Sequence, residues 1–114
     1  ALPTWLNEGL AMQLAGDAWP ELDQAMSGDF TVTPLTYLEG SWGALPASAA
    51  IVAYAEANSA TRYLIERWGM ARVDELLNAL QAKSSLADAI QNKLSVSYEQ
   101  FHRQWIESLE ASQP

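Results

Sequence analysis

The chain reads as an all-α protein, a compact bundle of about five or six helices forming the single domain 1–114. Three observations carry that reading. Apolar residues recur at helical spacing, as in Val73, Leu76, Leu77 and Leu80, which stand at i, i+3, i+4 and i+7. Residues that start and stop helices bracket these runs, as Pro3 and Gly16 or Pro46 and Gly69 do. Strand character is confined to residues 30–33, too short a run of β-formers to argue for a sheet.

Residues 3–15 form the first predicted helix. Pro3 suits the first turn, where a missing N–H costs nothing, and Gly16 ends it in a left-handed conformation. Leu6, Leu10 and Leu14 make one apolar side, and Trp5, Gly9 and Met12 make another, with Glu8 beside them. Two apolar sides predict an internal helix covered by neighbours. Residues 17–45 are the least regular. They hold a short helix at 20–26, a turn at 27–29, one helical turn at 34–39, and a loop around Trp42 punctuated by Gly40, Gly43 and Pro46.

A long helix follows over 46–68. Its alanine-rich first half allows a neighbouring helix to come close, and Arg62 and Glu66 are spaced as an exposed i,i+4 pair. Three shorter helices complete the chain. The first spans 70–82. Ser85 caps the second, with Asp88 at the reciprocal position and Leu86, Ile90 and Leu94 on its apolar face. Ser97 and Gln100 form a capping box on the third, with Tyr98, Phe101, Trp105 and Leu109 inward. Short connections after residue 69 predict that consecutive helices pack on one another.

Composition removes several classes of function. With 114 residues, 14 acids against 6 bases and a net charge of −8, the chain lacks the clustered basic footprint that nucleic acid or an anionic membrane surface needs. It has no cysteine, so disulfides and thiolate zinc sites are excluded. No apolar run approaches the ~20 residues of a transmembrane helix. The composition does not identify a compartment.

His102 is the only histidine, and one histidine cannot build a three-ligand zinc site. It reads as a partly buried or surface residue beside Phe101 and Trp105. Acid pairs such as Asp74 and Glu75 read as solvated faces, and the aromatic residues as core. Glu8 poses the sharper question. A carboxylate between Trp5 and Met12 on an internal helix needs a partner, because an unpaired buried charge is costly or takes up a proton. A solvated helix face, an ion pair with one of the few arginines or lysines, and a divalent metal all answer that need.

The stretch Trp5-Leu6-Asn7-Glu8-Gly9-Leu10-Ala11 resembles the third-ligand helix of the gluzincin metallopeptidases, the peptidase MA-like group. In that group one helix carries His-Glu-x-x-His, with two zinc ligands and the catalytic glutamate. A second carries W-x-N-E-G-x-A or a close variant, whose glutamate is the third ligand. Glu8 falls on that ligand. The segments from Leu35 to Trp42, from Tyr54 to Ala60 and from Tyr63 to Gly69, with the helical tail beyond, also resemble the family, although only the Glu8 motif is specific.

The resemblance implies zinc-dependent peptide hydrolysis in an intact parent. Asn7 would orient the ligand helix or its surroundings. Tyr54 would stand near the cleft, where a phenol hydrogen-bonds a developing oxyanion; a packed tyrosine is the plain alternative. The departure is large, since His-Glu-x-x-His is absent from the chain. The chain is therefore expected to be the C-terminal helical subdomain of a longer peptidase, partnered by an upstream segment bearing that motif. Alone, it is expected to be inactive and to hold no zinc tightly. A degenerate homologue, or a helical protein-interaction module, is the alternative. Loss of the zinc helix would bare the Trp5/Met12 side and favour a homodimer.

Overall fold

The structure is a computed structural model that describes residues 2–16 and 32–111. The helix expected at 20–26, the turn at 27–29 and the first half of the 30–33 run lie outside the described residues. The protein is all-α, and no strand occurs among the described residues. The helices are α1 (Thr4–Ala15), a single 3-10 turn (Leu35–Leu38), α2 (Ala47–Trp68), α3 (Met70–Gln81), α4 (Leu86–Leu94) and α5 (Tyr98–Ala111). They fall into two units. One comprises residues 3–62, with α1, the 3-10 turn and most of α2. The other comprises residues 63–111 with Leu2.

In the unit of residues 3–62, α1 starts one residue later than its proline suggests. Pro3 is extended (φ −61°, ψ 142°) and stands just outside the helix, its carbonyl accepting the Asn7 N–H at 3.0 Å. Gly16 closes α1 with φ 68°, its N–H donating to the Met12 carbonyl. Trp5, Leu6, Gly9 and Leu10 are buried. Leu14, expected on an apolar side, is 73 % exposed instead. Trp5 is only 1 % exposed, so the side expected to be bare is covered there. The 3-10 turn packs against α1 and buries Leu35 and Leu38. Alanines at 53, 55, 57 and 60 are buried along α2, and the small side chains let another backbone come close.

In the other unit, α3 packs on α4 and α4 on α5, as short connections require. Val73, Leu76 and Leu80 are buried, whereas Leu77 is half-buried. The Asp88 N–H donates to Ser85 Oγ at 3.1 Å, the forward half of the expected cap. Both halves of the Ser97/Gln100 box form, at 2.8 and 3.0 Å. Phe101 and Trp105 are fully buried on α5, while Tyr98 and Leu109 are half-buried. Phe101 lies 6.0 Å from Tyr63 and 5.8 Å from Trp68, and those two rings meet edge-on at 5.9 Å. The ion pairs among the described residues are Arg72–Glu75 and Glu99–Arg103. Arg62 and Glu66 are not among them; both are exposed, where pairing gains little over solvation.

Candidate functional site

The unit of residues 3–62 carries a groove of about 580 Å³ whose lining includes Glu8, Glu39, Trp42 and Tyr54. Three elements build it. α1 supplies Glu8 one turn beyond Thr4. The Thr4 N–H, left free at the helix start, donates to the Glu39 carbonyl at 2.9 Å and ties α1 to the loop after the 3-10 turn. Trp42 is held in that loop by its indole N–H, which donates to the Leu38 carbonyl at 3.1 Å. Tyr54 stands on α2 and meets Trp42 edge-on, with ring centroids 5.0 Å apart and planes at 83°. Edge-to-face packing of this kind steadies both rings.

The structure brings two of the three singled-out residues together. Glu8 and Tyr54 line the same groove, and Asn7, one position earlier on α1, is exposed outside it. Glu8 is half-buried rather than buried, so it does not face the full cost of a lost hydration shell. It forms no ion pair among the described residues, so of the alternatives the ion pair with an arginine or lysine is not seen there. Tyr54 is 37 % exposed, with its ring against Trp42 rather than in the core. His102 sits on α5 in the other unit, half-buried, with its ring 5.6 Å from Trp105. Its Nδ1 is buried without a partner among the described residues, and burial lowers its pKa from the ordinary 6.5.

Among the described residues the buried carboxyl group is Glu56, which sequence reasoning passed over. It is 0 % exposed, it accepts the Thr33 N–H at 2.8 Å, and its Oε2 has no hydrogen-bond partner among the described residues. Burial pushes its pKa from 4.5 up to about 7, against the opposing pull of the Thr33 bond. The signal for it was its neighbourhood, an alanine-rich helix whose small side chains at 53, 55, 57 and 60 are buried with it. Glu56 is not among the groove-lining residues.

No group of three histidine, cysteine, aspartate or glutamate side chains lies together among the described residues. Among the described residues, Glu8 and Glu39 are the carboxylates that line the groove, oxygen donors of a kind that zinc accepts but too few by themselves for its protein ligand shell. No curated protein and no solved structure matches the chain. A family model for the peptidase MA superfamily matches residues 1–111, which covers both units and the groove. The chain belongs to the peptidase MA superfamily.

Proposed function

We propose that this chain is the part of a zinc-dependent peptidase that supplies the third metal ligand, Glu8, and one wall of the substrate groove. The observation that carries the reading is the shared groove: the one carboxylate in the family-like motif faces the same space as Tyr54. Zinc bound there, with two histidines from an upstream His-Glu-x-x-His segment, would supply Lewis-acid chemistry and an activated water.

This chain's own residues have separate tasks. Glu8 would hold the metal through a carboxylate oxygen, and half-burial would keep that oxygen accessible. Tyr54 lines the groove, and its phenol O–H would donate to the oxygen on which charge develops. Trp42 fixes the Tyr54 ring from the side. Asn7 steadies the surroundings of the ligand helix. Without the upstream donors and general base, the chain is inactive.

The test is metal binding by a chain extended upstream through the missing motif, compared with the 114-residue chain. The extended chain binds zinc tightly and the short chain weakly. Changes around metal ligands cost about 10–100-fold in affinity, so Glu8→Ala should cost more than about 100-fold. Unchanged zinc content in that variant refutes the ligand assignment. Tight zinc binding without peptide hydrolysis identifies a degenerate homologue.

A further inference from the structure

Gly9 directly follows Glu8 in the middle of α1 and faces α2. A Cβ built on it would lie 2.0 Å from Thr61 Oγ1, 2.5 Å from the Ala57 carbonyl oxygen and 2.8 Å from Thr61 Cβ. The first of these contacts involves a side chain, but the second involves backbone and cannot rotate away. Ala57 and Thr61 are both 0 % exposed. Thr61 Oγ1 has no hydrogen-bond partner among the described residues, so this residue serves the contact through its shape. Glycine inside a helix is a net cost relative to alanine, and here the cost is met because only a bare Cα fits.

α1 is also tied down on either side of the crossing. Thr4 is bonded to the Glu39 carbonyl at one end, and the Gln13 amide donates to Asn58 Oδ1 near the other. Tyr54 stands on α2 one turn before Ala57. Glu8 and Tyr54 each stand close in sequence to this contact on their own helices, so the contact bears on how far apart those helices hold them.

We propose that the α1–α2 contact of Gly9 with Ala57 and Thr61 positions Glu8 relative to Tyr54, which makes Gly9 and Thr61 positioning residues of the groove. The contact at Ala57 leaves a methyl group about 1 Å short of ordinary van der Waals distance. A side chain at residue 9 must push the helices apart by about that much. Misplacement of about 1 Å in a catalytic constellation costs on the order of 10²-fold in rate. The functional meaning rests on the peptidase reading, whereas the geometry can be tested without metal or substrate.

The experiment is NMR of the 114-residue chain, following the Glu8 side-chain carboxyl and the Tyr54 ring, alongside thermal unfolding. Gly9→Ala is expected to unfold cooperatively and to shift both groups, leaving the Phe101 ring unmoved. Thr61→Val keeps the branched shape and should leave Glu8 and Tyr54 in place. Thr61→Ala opens the crossing and should shift them. A role confined to stability predicts a lower melting temperature with both groups unmoved. The proposal falls if Gly9→Ala folds with native Glu8 and Tyr54 resonances, or if Thr61→Val and Thr61→Ala act alike. If Gly9→Ala does not fold, the Thr61 pair decides. None of these results depends on zinc, so a failed Glu8→Ala metal test and a failed crossing are separate outcomes.

Discussion

Thr33 donates its backbone N–H to Oε1 of Glu56 at 2.8 Å, the hydrogen bond that meets this fully buried carboxyl group. The bond ties the segment before the 3-10 turn to α2. It does not compensate for burial, because Oε2 lacks a partner among the described residues and the pKa rises from 4.5 to about 7.

Stability should accordingly depend on pH through Glu56. In the unfolded chain the group ionises near 4.5, and in the folded chain it keeps its proton to about 7. Between those values the folded state binds more protons, so stability is greatest below pH 4.5, falls as pH rises through the window, and levels off above 7. The loss is roughly 3 kcal/mol. Glu56→Gln keeps the shape and removes the ionisation. In urea unfolding, its stability relative to the parent chain should rise by about that amount between pH 4 and pH 8. Parallel pH profiles would refute the assignment.

His102 works in the opposite direction. Burial lowers its pKa, so below the ordinary 6.5 the unfolded chain takes up a proton that the folded chain resists. Its contribution is present above pH 6.5 and declines as pH falls through that value. His102→Phe preserves an aromatic ring against Trp105 and should flatten the acid side of the profile. The check is the difference in unfolding midpoint between variant and parent at pH 5 and pH 7.5. A constant difference would exclude the effect.

The reciprocal bonds of Ser97 and Gln100 predict a cost for losing either partner. Ser97→Ala leaves the Gln100 N–H without its acceptor and should destabilise the protein by about 1 kcal/mol. Gln100→Ala should cost less, because the Ser97 N–H is then exposed to water. Thermal unfolding of the two variants tests the order.

Much of the helical layout was legible in the residues because helix ends follow local rules. Gly16 and Gly69 adopt positive φ where the periodic runs stop, and Ser97 with Gln100 forms the expected box. The apolar stripes of α3, α4 and α5 also read correctly in outline, with Val73, Ile90 and Phe101 fully inside. The motif around Glu8 pointed to the right superfamily.

Local rules could not rank the carboxylates. Glu8 looked buried because both of its neighbouring helix faces are apolar, and Glu56 looked ordinary because it sits among alanines. Burial depends on what packs opposite, and that is set by residues distant in the chain. Leu14 is exposed for the same reason: periodicity marks an apolar side without saying how far along the helix a neighbour extends. Helix boundaries therefore belonged to the one-dimensional chain, where caps and turns act over a few residues. The shared groove of Glu8 and Tyr54, the burial of Glu56 and the close pass at Gly9 arose from long-range packing, because each requires two segments to share a space that neither defines alone.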